Sequence, residues 1–190
     1  MRVRLYECET LMTEIPSTTV DHNPAAYEPQ LWLSAQEVFE MMIGTTLTRC
    51  LEPQMMAAQF TAMVGIAGPV CGLLSIHCSK KTALLIASRM LGGSIEEAGP
   101  QAWDAMGEVC NMVAGSFKAK LGEVGESSML SVPTVVSGGN YRLRPLTSGI
   151  VTELRLQFDD EPIWFRLQCT IDARWKKSAQ AVPQDVSKIA

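Results

Sequence analysis

Aromatic residues are scarce in this 190-residue chain, at 6%, and histidine occurs only twice, as His22 and His77. A mechanism that rests on imidazole is therefore poorly supplied. Clusters of Lys and Arg are missing too, and the formal net charge is -4. That leaves no electrostatic footprint for nucleic acid or for an anionic membrane surface. No apolar run reaches the roughly 18 uninterrupted residues that a membrane span needs. The opening "MRVRLYECETLMTEIPS" has two arginines but also Glu7, Glu9 and Glu14 and no apolar h-region, so it is not a secretion signal. The expected compartment is the cytoplasm.

Cysteine pairs are absent as well. Cys8, Cys50, Cys71, Cys78, Cys110 and Cys169 are scattered, with no C-x-x-C spacing. Cys110 falls in a helical stretch and Cys71, Cys78 and Cys169 in strand-like runs, where a thiol acts as a small apolar side chain. The run "CGLLSIHC" offers Cys71, His77 and Cys78 as metal ligands, but strand alternation puts Cys78 on the opposite face from the other two. No metal site of the chain's own is expected. Nor is there a Gly-rich loop ending in Lys-Ser/Thr. The short runs at Gly92 to Ser94 and Ser137 to Gly139 read as turns, not nucleophile elbows. Conventional hydrolase chemistry is thereby set aside.

What is present is the composition of one ordinary globular domain, 47% apolar and 19% charged. Residues 1–28 are largely polar with prolines and read as a loose leader. Residues 174–190 lack a sustained pattern and read as a tail. Between them, over 29–173, the elements follow in order. "PQLWLSAQEVFEMMIGTTL" has helical spacing, with Ser34 and Glu37 as a possible capping box unless the helix begins earlier. "QFTAMVGIAG" and "PVCGLLSIHCS" are two strands joined at Gly68-Pro69. "SKKTALLIASRMLGG" is a short helix ended by Gly92-Gly93, and a longer one runs from Pro100 to about Leu121, closed by Gly122. "SSMLSVPTVVSGGNY" is a strand with a Gly-Gly turn. "GIVTELRLQF" alternates apolar and polar residues, and "DDEP" turns into a last strand, "IWFRLQCTIDA". The fold class is α+β: long helices on one face of a largely antiparallel sheet.

The chain also repeats itself. "EVFEMMIG" (Glu37 to Gly44) and "EVCNMVAG" (Glu108 to Gly115) share Glu, Val, Met and Gly at an offset of 71 residues. Each is followed by strands, so the sequence reads as two degenerate halves. They differ at the fourth position, where Glu40 stands opposite Asn111.

Glu108 and Asn111, at i and i+3, share one helix face with Cβ atoms roughly 5–6 Å apart. Asp104 and Gly115 extend that face, and Gly107 adjoins it. Met106, Val109, Cys110, Val113 and Phe117 form an apolar seam toward the other side, expected to pack on the sheet. Each of the two glycines costs the helix about 1 kcal/mol relative to Ala, which suggests close approach by something outside. A carboxamide is no general base, but it can orient a water by offering an acceptor and a donor together. Positioning goes a long way in phosphoryl transfer, and a carboxylate one turn away can hold a basic partner group in register. From these two residues alone, a solvated helix face with no task stands ahead of that reading.

The residues around them change the balance. "DAMGEVCNMVAGSFKAKL", preceded by "ALLIASRMLGG" and followed by "LSVPTVVSGGNY", resembles the CheX branch of the CheC/CheX/FliY chemotaxis phosphatases. The signature of that family is Glu-x-x-Asn on a long helix with a proline in the segment after it, here Glu108, Asn111 and Pro133. The resemblance spans about Leu31 to Ile171. It implies hydrolysis of the phosphoaspartate of a CheY-like response regulator in two-component signalling. Asn111 would align the attacking water and Glu108 would pair with the regulator's active-site lysine. The regulator would then be what approaches the face that spacing extends to Asp104 and Gly115, with Gly107 beside it. It implies no cofactor in this chain, Mg2+ held by the regulator, and a homodimer. A single signature copy, with Glu40 in place of the first-half Asn, is the CheX arrangement. Glu37 and Glu40 are left as a second acidic face of unassigned role. Two rivals remain: a module that binds a regulator without hydrolysis, and a dimeric scaffold in which Asn111 does nothing.

Overall fold

A computed structural model of the chain describes residues 27–50, 58–139, 141–144 and 149–171. Of the leader expected over residues 1–28, only Tyr27 and Glu28 fall among them, and they begin the first helix. The tail lies outside them.

Helix α1 (Glu28–Val38) starts earlier than Ser34. Pro29 is in its first turn, where a missing N–H is harmless. Ser34 is no cap: it is buried, and its hydroxyl donates to the Gln30 carbonyl at 2.7 Å. The helical run then widens into a π-turn (Phe39–Ile43) and stops at Gly44, whose φ of 70° suits glycine. After it come β1 (Thr48–Arg49), β2 (Phe60–Ala67), β3 (Val70–Cys78) and α2 (Lys80–Leu91). The Ser79 hydroxyl accepts from the Thr82 N–H as the cap of α2, and Gly92 ends it.

Helix α3 (Pro100–Ala119) stops short of Leu121. A separate turn, α4 (Glu123–Glu126), follows Gly122. The strand expected around Pro133 is split into β4 (Met129–Leu130) and β5 (Thr134–Ser137), because a proline cannot donate to the ladder. Strands β6 (Ile150–Phe158) and β7 (Glu161–Ile171) close the chain as a hairpin. Its turn residues Asp159 and Asp160 both have positive φ, the geometry of a tight two-residue hairpin.

The sheet runs β1-β6-β7-β3-β2-β4, with β5 also pairing β2, and every pairing is antiparallel. Its symmetry supports the repeat. β3 and β7 meet at the centre, β2 and β6 flank them, and the opening strands lie at the two edges. Those opening strands are exchanged: β1 of the first half pairs with β6 of the second, and β5 of the second pairs with β2 of the first.

The helices cover one face. Phe39 packs edge-on against Phe158 and Phe165, with centroids 5.6 and 5.9 Å apart, and Tyr27 against Phe117. Met106, Val109, Cys110, Val113 and Phe117, the seam expected on α3, are all fully buried. Each such large apolar side chain contributes roughly 1.5–3 kcal/mol relative to exposure. This seam fixes the rotation of α3, and so decides what its other face presents.

Cysteine placement departs from the sequence reading at one position. Cys78, Cys110 and Cys169 are buried, but Cys71 is exposed on the uncovered face of β3. Burial pushes the Cys78 thiol up to about 12 and that of Cys169 up to about 11, and raises Cys110 as well. Among the described residues no group of three His, Cys, Asp or Glu could hold a metal ion.

Candidate functional site

With the apolar seam of α3 turned to the sheet, Asp104 and Glu108 are exposed and Asn111 and Gly115 half-buried on the opposite side. The structure thus brings four of the five singled-out positions to one accessible helix face. The fifth, Gly107, is buried. What covers it belongs to the chain itself: a Cβ built there would lie 3.5 Å from Pro133 and from Val135. That is ordinary contact, so the helix surface at Gly107 is met by the segment that splits β4 from β5. Over Gly115 there is nothing within 4 Å.

Trp103, Asp104, Gly107, Glu108, Pro133 and Val135 line an open depression at this place. The sequence signature therefore has a spatial meaning: Pro133 stands beside the turn of α3 that carries Glu108. Trp103, which sequence reasoning passed over, is held by a bond from its indole N–H to the Ser137 hydroxyl, 3.1 Å long. Its spacing one turn before Gly107 was the signal available.

Among the described residues, the side chains of Asp104, Glu108 and Asn111 make no hydrogen bond or ion pair. The contrast with the first half is direct. Glu37, the repeat partner of Glu108, accepts from Lys120 at 2.5 Å and from Ser116 at 3.0 Å, which tie it to α3. The Lys120 ammonium, with help from the Ser116 hydroxyl, holds the Glu37 carboxyl below its ordinary range. Glu40 lies in the π-turn, where the wider winding takes it out of the i, i+3 alignment that Glu108 and Asn111 keep. Of the two helices, only α3 presents the acid and amide uncommitted and one turn apart.

The model of the family described as "Chemotaxis phosphatase CheX" matches residues 60–154, half of the chain and a span that contains Glu108, Asn111 and Pro133. The chain belongs to the CheX family. A CheY-P phosphatase CheX from Thermotoga maritima is 33% identical over 100 residues, which cover 52% of this chain and 63% of that protein. The match thus spans less than two thirds of that relative's length. Solved structures share the fold of this CheX-family chain. Chemotaxis protein CheX from Vibrio vulnificus has a TM-score of 0.67 at 23% identity, covering 77% of this chain and 98% of that one. CheX in a CheX-CheY-BeF3-Mg2+ complex from Borrelia burgdorferi has a TM-score of 0.62 at 21% identity, covering 75% and 97%. Among the described residues no helix is long and apolar enough to cross a membrane.

Proposed function

We propose that this chain is a phosphatase that hydrolyses the phosphoaspartate of a CheY-like receiver domain in the cytoplasm. The observation that carries the reading is the pair itself. Glu108 and Asn111 sit one turn apart on an accessible face, with no partner among the described residues, whereas the first-half acid Glu37 is tied down. A polar pair left uncommitted beside an open depression is available to another molecule.

In this reading Asn111 enters the receiver's site and holds a water with its carbonyl while its amide donates to a phosphoryl oxygen, so the water attacks in line. As the water's oxygen bonds to phosphorus the P–O bond to the aspartate breaks, its carboxylate leaves, and the water's proton ends on the phosphate released, so none needs to pass to the amide. The Glu108 carboxylate pairs with the receiver's lysine and fixes the depth and angle of docking. It thereby makes the reaction effectively unimolecular. Asp104 adds negative charge to the docking face, and Gly115 lets the partner's backbone come close; at Gly107 that space is taken by the chain's own Pro133 and Val135. The Mg2+ belongs to the receiver, in keeping with a relative solved as a CheX-CheY-BeF3-Mg2+ complex. The family resemblance implies that the chain pairs as a homodimer.

The test is the decay of a phosphorylated receiver with and without this protein and with Asn111→Ala. The expected result is faster decay, reduced about 100-fold or more in the variant, with binding retained. Binding without faster decay would make the chain an adaptor; equal decay with Asn111→Ala would remove the water-positioning role.

A further inference from the structure

Eight large apolar side chains are exposed among the described residues, and two of them adjoin the depression beside Glu108. Trp103 is 41% exposed and lines it; Val132, 81% exposed, immediately precedes Pro133 in its wall. Exposed tryptophan is uncommon on a surface with no task, because the indole loses a large apolar area to water. Here its one polar atom is already satisfied by Ser137, so the surface still open to solvent is apolar. The same bond holds the ring in place, which lowers the ordering cost of using it in an interface.

We infer that Trp103, with Val132 beyond it, is the anchor by which this face grips its partner, and that the partner surrounds the lysine already assigned to Glu108 with apolar side chains. This rests on the phosphatase reading for the partner's identity, a receiver domain, but on separate residues. The chemistry follows from the depression's lining. Asp104 and Glu108 are two carboxylates without an ion pair among the described residues, and they repel an anionic surface. Trp103, Pro133 and Val135 supply an apolar wall around them. A lysine alone would satisfy the acids and leave the wall wet. A bare apolar patch would bury the acids unpaired, at a penalty of several kcal/mol. Only a cation inside an apolar collar matches both. Tryptophans that become desolvated near the centre of an interface are among the residues that most often dominate its binding energy.

Binding is measured by fluorescence anisotropy of a labelled, beryllofluoride-activated CheY-like receiver from the same organism. Trp103→Ala is expected to raise Kd about tenfold, and Val132→Asn, an uncharged polar change at a position 81% exposed, about fivefold. At receiver concentrations below the parent's Kd, turnover should fall in both variants in proportion to the rise in Kd. A Kd within twofold of the parent in both variants overturns the inference, whatever Asn111→Ala does to turnover. Parental turnover in Asn111→Ala overturns the catalytic reading alone. No saturable binding by the parent protein overturns both.

Discussion

Replacing Gly115 by alanine separates what the fold needs from what a partner needs. Gly115 lies inside α3, one turn beyond Asn111, with no positive φ to justify a glycine. A Cβ there meets nothing within 4 Å. The methyl therefore adds no clash and removes the conformational freedom of glycine in the unfolded chain, a gain of about 0.8–1 kcal/mol. For a domain of this size that raises Tm by about 2–4 °C. The same methyl would stand on the face through which the receiver is proposed to approach. A thermal melt of Gly115→Ala should thus show a more stable protein, while the receiver concentration giving half-maximal decay rises. Gly107→Ala is the internal comparison: its Cβ would touch Pro133 and Val135 at 3.5 Å, so its gain should be smaller. Destabilisation by Gly115→Ala would refute the open space over α3. Stabilisation with unchanged kinetics would refute any role for Gly115 in docking.

Two further outcomes follow from the uncovered sheet face. His77 is held below its ordinary value of 6.5, by burial first and the Arg166 guanidinium second, with Glu153 pulling the other way. The unfolded chain then binds the proton at higher pH than the folded one. Its contribution to stability is complete above about pH 6.5 and is lost as pH falls below that; Tm of His77→Gln should fall less than the parent's between pH 7 and 5. Among the described cysteines, iodoacetamide should modify exposed Cys71 in the native protein and leave Cys78, Cys110 and Cys169 untouched until unfolding, as read by peptide mass spectrometry.

The parts of the molecule legible in sequence were those set by periodicity. The apolar seam of α3 fixed which side of the helix is dry, and the alternation in β6, with Leu154, Leu156 and Phe158 buried, fixed one face of the sheet. What escaped were features that depend on distant partners. Ser34 matched a capping pattern but is buried against α1's own backbone. The π-turn at Phe39–Ile43 has no signature in hydrophobic spacing. Strand β1 is two residues long and exists because β6 lies beside it. At the candidate site, the spacing of Glu108 and Asn111 could be read directly. That Pro133 covers Gly107, and that Trp103 is tethered to Ser137, required the tertiary fold.

The exchange of opening strands has a consequence for how the chain must fold. Thr48 pairs with Gln157, more than a hundred residues away, so the edge strand of the first half cannot settle until the last hairpin has formed. In the same way β2 gains an outer neighbour only when β5 arrives from the second half. Neither half can finish its own sheet, and contacts so far apart in sequence close slowly. The two copies are bound into one cooperative unit, which frees their helix faces to diverge. One face carries Glu40 where the other has Asn111 and is tied to its neighbour through Glu37, while the other leaves Glu108 and Asn111 without a partner among the described residues.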